Sequence, residues 1–141
     1  MPILTNFTLP KSAAALDTTI PFFISFHASP DPNTGKPWCP DVVAALPYLT
    51  ETFSTPDAPQ VAFVDVGQRP EWKEPSNVYR TTWNVHNVPT LVRFEKQDGR
   101  VREVGRLVEG EILDSKRLKA FVTGGAGVPG GPGGRNGDAK I

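Results

Sequence analysis

Cysteine is almost missing from this chain: one residue, Cys39, in 141. A lone cysteine excludes an internal disulfide and a multi-cysteine zinc site. The two histidines, His27 and His86, stand at unrelated spacing and add no metal motif, so no metal or other cofactor is expected. Net charge is absent as well: fifteen Lys and Arg offset fifteen Asp and Glu. Such a chain has no bulk attraction for nucleic acid or an anionic membrane, and neither is expected as a partner. The longest strongly apolar run, Ile20 to Phe26, falls far short of the roughly 20 residues that span a bilayer. The start, Met1-Pro2-Ile3-Leu4-Thr5, lacks a charged segment followed by an apolar one. A reducing, cytoplasmic setting is expected, with the chain a monomer.

Glycine and proline are plentiful, but unevenly spread. Eight of thirteen glycines lie between Gly124 and Asp138. That stretch cannot bury enough apolar surface to offset its ordering entropy, so residues 124–141 are predicted to be a disordered tail. The folded domain is predicted over residues 3–123. Its 38% hydrophobic and 21% charged content is ordinary for a globular protein.

Within the domain, strand and helix patterns alternate. Ile20–Phe26 and Val61–Val66 are compact apolar runs suited to buried strands. From Asp41 to Phe53, apolar Val42, Val43, Leu46, Leu49 and Phe53 recur at helical spacing. Pro40 suits the first turn, and Pro47 is expected to kink the helix. A short helix is predicted over Ser76–Trp83. Leu91–Phe94 and Val101–Leu107 flank Asp98-Gly99, a hairpin turn pair. Glu111–Val122 reads as a closing amphipathic helix. A strand near Ile3 and a helix around Lys11–Leu16 are weaker patterns. This order predicts an α/β fold, a central mixed sheet with helices on both faces.

Chemistry concentrates at Lys36-Pro37-Trp38-Cys39-Pro40-Asp41-Val42. A cysteine opening a helix faces unpaired N–H groups and the positive end of the helix dipole, and both favour the nucleophilic thiolate. The amides of Asp41 and Val42 are the candidate donors to the sulfur. Asp41 opposes the effect by its charge and otherwise reads as a helix cap. Trp38 reads equally as a wall of the site or a core-edge aromatic. A second signal is Val88-Pro89-Thr90-Leu91, a proline opening a strand. His27 and His86 read as structural, His27 partly exposed in a loop. Asp65 reads as a turn former, and Trp72 and Trp83 as packing anchors.

Together, Trp38-Cys39-Pro40 and Val88-Pro89-Thr90-Leu91 resemble the thioredoxin superfamily. More narrowly, the chain resembles the small thioredoxin-related proteins with a Trp-Cys-Pro-Asp-Cys motif, the thioredoxin domain-containing protein seventeen type. Ser29, Asp31, Gly35 and Lys36 resemble that family's insertion before the motif. Val66-Gly67, Pro70, Trp72-Lys73-Glu74-Pro75 and Asn77 resemble its second signature. The resemblance covers residues 3 to 122. It implies a thioredoxin-like fold, with Cys39 attacking a substrate disulfide. It also implies a cis Pro89 facing the sulfur, and a Val88 backbone that pairs with the substrate chain. Trp38, Pro40, Asp41, Val88 and Pro89 are thus the expected binding residues around catalytic Cys39. The departure is Val42, where the family carries its resolving cysteine. Two readings follow. One is a monothiol oxidoreductase acting on disulfide-containing proteins, peptides or glutathione adducts, with an external thiol closing the cycle. The other is a redox-inactive binding module that keeps the groove.

Overall fold

The computed structural model describes residues 3–16 and 21–124. The expected tail from Gly125 onward, and Ile20 at the start of the first apolar run, lie outside them. Five strands form one mixed sheet: β1 (Ile3–Leu4), β2 (Phe22–His27), β3 (Gln60–Asp65), β4 (Thr90–Gln97) and β5 (Arg100–Val108), in the order β1-β3-β2-β4-β5. β3 runs parallel to both β1 and β2, while β4 is antiparallel to β2 and β5. The β4–β5 hairpin turns at Asp98-Gly99, both with positive φ, as a two-residue hairpin loop requires.

β2 is buried along its whole length, and its alternation divides the core in two. Phe22, Ile24 and Phe26 face one way, against Trp72, Trp83, Val85, Val92 and Phe94. Phe23 faces the other way, with Val61, Leu91 and Leu107. That second face is covered by α1 (Pro40–Phe53) through Ala45, Leu49 and Phe53, and by α4 (Ser115–Thr123) through Leu118, Phe121 and Val122. Burying side chains of this size stabilises a fold by roughly 1.5–3 kcal/mol each, so the two clusters carry most of the apolar contribution. Helices lie on both faces because β2 and β3 are apolar on both.

Several boundaries differ from the sequence pattern. The closing helix begins at Ser115 rather than Glu111. Asp114 adopts an extended backbone, and its carboxylate accepts the Arg117 N–H at 3.1 Å, so it caps a new helix. Residues Glu109–Glu111 form a separate 3₁₀ turn. Pro47 sits within the continuous span of α1, with its ring exposed. The predicted Ser76–Trp83 helix contracts to α3 (Val78–Thr81), capped by the Asn77 side chain. A further short helix, α2 (Arg69–Lys73), has no counterpart in the sequence pattern. The Lys11–Leu16 pattern reduces to a 3₁₀ turn, Ala13–Ala15.

Candidate active site

Cys39 is the N-cap of α1. Its backbone is extended, and Pro40 follows at the first helical position, where the missing N–H costs no hydrogen bond. The half-buried Sγ lies 3.7 Å from the carbonyl oxygen of Val88, toward which the thiol donates. The Val88–Pro89 bond is cis, and both residues are buried. The carbonyl of Pro89 accepts the Glu109 N–H at 3.0 Å, which ties this loop to the end of β5. Residues 49 positions apart in the sequence are thus brought face to face.

Of the two expected amide donors, Asp41 and Val42, the Val42 amide is used differently. The Val42 N–H and the Val43 N–H both donate to the carbonyl of Cys39, at 3.1 and 3.2 Å, and among the described residues no amide caps the sulfur. The helix begins by satisfying its own backbone, and the side chain of Cys39 turns to Val88 instead. Asp41 is not the cap; it lies exposed in the first turn, where its charge complements the helix dipole. Val42 is fully buried in the cluster against which Trp38 and Cys39 pack. No second thiol stands beside the first.

Trp38 is half-buried and is held at both ends. Its indole N–H donates to the carbonyl of Gly67 at 2.8 Å, and its backbone N–H to the carbonyl of Ser29 at 3.3 Å. Ser29 binds Gly67 in return: its N–H donates to the Gly67 carbonyl at 3.3 Å, and its hydroxyl accepts the Gly67 N–H at 2.9 Å. The side-chain amide of Gln68 donates to the carbonyl of Pro30 at 2.7 Å. The loop before the cysteine is therefore stapled to the loop after β3. Gly67 has φ +104, and a Cβ there would meet the Glu71 side chain at 3.0 Å, so the close approach needs glycine. The Arg69 guanidinium lies 4.9 Å from the Trp38 ring centroid and reaches the Trp38 carbonyl at 3.4 Å. Sequence reasoning does not single out Arg69. Its only signal is its place beside the Val66-Gly67 signature.

His27 corrects the sequence reading. It is buried rather than loop-exposed, at the end of β2. One ring nitrogen pairs with the Ser25 hydroxyl at 2.7 Å, and the ring packs edge-on against Phe63. Burial lowers its pKa to about 4, so it is neutral at physiological pH. Asp65, its register neighbour on β3, has its carboxyl pKa raised by partial burial. Tyr79 is pushed up by burial and by the nearby Asp65 and Glu71 carboxylates. His86 is exposed and bonds the Asn84 side chain. Trp72 and Trp83 are buried anchors, Trp72 beneath the Arg80 guanidinium and Trp83 edge-on to Phe94.

A cysteine N-cap facing a cis-proline loop, on a β1-β3-β2-β4-β5 sheet, can be compared with known proteins. Residues 9–123 match the model of the thioredoxin domain-containing protein 17-like thioredoxin domain. The chain belongs to this family. A thioredoxin domain-containing protein of Schizosaccharomyces pombe is 35% identical over 100 residues, 71% of this chain and 81% of that protein. Thioredoxin domain-containing protein 17 of Homo sapiens is 34% identical over 98 residues, 69% of this chain and 73% of that protein. Among solved structures, Plasmodium falciparum thioredoxin aligns at a TM-score of 0.48 and 16% identity, over 71% of this chain and 67% of that one. The protein is thus a thioredoxin-fold member of the family. No helix among the described residues is long and apolar enough to cross a membrane.

Proposed function

We propose that the protein is a monothiol redox protein. Cys39 attacks a protein, peptide or glutathione mixed disulfide, and an external thiol resolves the adduct. The observation that carries this reading is the 3.7 Å approach of Cys39 Sγ to the Val88 carbonyl, beside a buried Val42. The sulfur is half-buried, so a small disulfide can reach it. The Val88 backbone borders the sulfur and is suited to pair with an extended substrate segment, while Trp38, Pro40, Asp41 and Pro89 frame the approach. A thiol used this way must be kept reduced, which fits a cytoplasmic setting.

The decisive measurement is turnover on a protein disulfide. Wild type should stall as a mixed disulfide on Cys39 with thioredoxin reductase alone, and glutathione should restore slow turnover. Val42→Cys should permit reductase-coupled turnover, since the new thiol falls in the cluster against which Cys39 packs. Cys39→Ser should abolish every thiol-dependent signal. Wild-type turnover with reductase and no small thiol would refute the missing resolving step. Loss of the resolving cysteine, with Val42 in its place, favours a second reading, a binding module without turnover. That reading wins if Cys39 alkylates no faster than free cysteine and forms no adduct with a small neutral disulfide.

A further inference from the structure

A cleft of about 620 Å³ opens on the flank of the cysteine loop, and the reaction described above assigns it no ligand group. Its volume is that of a small-molecule site. Trp38 and Pro40, the residues on either side of Cys39, both line it. Lys36 comes from the loop before the cysteine, and Arg69 opens α2. Neither is ion-paired among the described residues, whose salt bridges are Arg93–Glu95, Arg106–Glu103 and Arg117–Glu111. Asp31 is the single acid of the lining, and one of its carboxylate oxygens accepts the Asn33 N–H at 2.7 Å. The cleft therefore offers two cations and one carboxylate beside Trp38, and it is bordered by the two residues that bracket Cys39 in the chain. Its walls are held by the Trp38–Gly67 and Gln68–Pro30 hydrogen bonds, so the arrangement is organised before any ligand arrives.

We infer that this cleft holds the glutathionyl group of a glutathione mixed disulfide. Glutathione carries two carboxylates and one ammonium, the charge complement of Lys36, Arg69 and Asp31. The inference rests on the monothiol reading and names its substrate class. In the reaction, the Cys39 thiolate attacks the glutathionyl sulfur. The Cys39 sulfur–glutathionyl sulfur bond forms as the substrate disulfide breaks. The substrate leaves as a thiolate, reduced, and takes a proton from solvent. Cys39 is left oxidised as its glutathione disulfide. A second glutathione, as thiolate, attacks the glutathionyl sulfur and releases the Cys39 thiolate and glutathione disulfide.

The test is the ratio of two rates of adduct formation on Cys39, with glutathione disulfide and with the neutral hydroxyethyl disulfide. A ratio cancels any change in the thiol itself. Lys36→Gln and Arg69→Gln should each lower it several-fold. The double variant should lower it about tenfold, the size expected of two partly exposed charge pairs at about 0.5–1 kcal/mol each. The wild-type preference should shrink toward 1 M salt, where screening acts within roughly 3 Å. Should Arg69→Gln disturb Trp38 and fail to fold, Lys36→Gln in the exposed loop decides. An unchanged ratio with normal adduct formation would overturn the cleft assignment while leaving the monothiol reading intact. Failure of both disulfides to react would overturn the monothiol reading, and the inference with it. A long acidic disulfide peptide that loses more than glutathione disulfide in the variants would overturn the small-ligand assignment in favour of a protein segment.

Discussion

His27 shows how one residue couples the core to pH. Its folded-state pKa of about 4 lies below the ordinary 6.5, because burial penalises the charged ring. The unfolded chain therefore binds a proton first as pH falls, and stability declines from about pH 6.5 down to about 4. The full cost is on the order of 3 kcal/mol. Asp65 acts with the opposite sign lower down: its raised carboxyl pKa gives a contribution lost as pH rises through the acidic range. The limb between pH 7 and 5.5 therefore reports His27. Urea denaturation should show a loss of about 1 kcal/mol across it. His27→Leu should flatten that limb, even though it leaves the Ser25 hydroxyl without its partner. Cys39 and the Val88-Pro89 pair were readable as chemistry because each sits in a short local motif. The burial of His27 was not readable, since it depends on Phe63 from β3 and on the helical face that covers β2.

At the scale of elements, the end of α4 is held by a residue from the sheet. Arg93 of β4 donates to the carbonyls of Phe121 and Val122, at 2.9 and 3.1 Å, and its guanidinium lies 5.2 Å from the Phe23 ring centroid. Gly124 closes the helix at φ +72, and a Cβ there would meet the Arg93 guanidinium at 2.9 Å. Gly124→Ala should cost about 1 kcal/mol or more, from left-handed strain and crowding. Arg93→Met should cost about 2 kcal/mol, because it leaves two helix-end carbonyls less satisfied. The double variant should cost less than the sum, since removing the guanidinium relieves the crowding, and chemical denaturation of all four proteins measures the difference. Compact apolar runs made β2 and β3 legible, Asp98-Gly99 the hairpin, and periodicity α1. Periodicity failed at short range: α2 spans only five residues, and the start of α4 was decided by the Asp114 cap rather than by the apolar stripe.

Over the whole molecule, the compact apolar runs foretold buried strands, and the order of strand and helix patterns foretold a mixed sheet with helices on both faces. The cleft was not foretold. Lys36 and Arg69 are separated by 33 positions, and only the stapling of Trp38 and Ser29 to Gly67 sets them on one cavity. That same staple has an optical consequence. Of the three tryptophans, Trp72 and Trp83 are buried in the core, and Trp38 is half-exposed next to the thiol. A water-soluble quencher such as acrylamide should therefore draw its effect mainly from Trp38, and Trp38→Phe should remove most of the quenchable emission. Occupation of the thiol should change that fraction, because Trp38 precedes Cys39 in the chain and the two pack against the same cluster. Adduct formation on the single cysteine can then be followed continuously by intrinsic fluorescence, without a label.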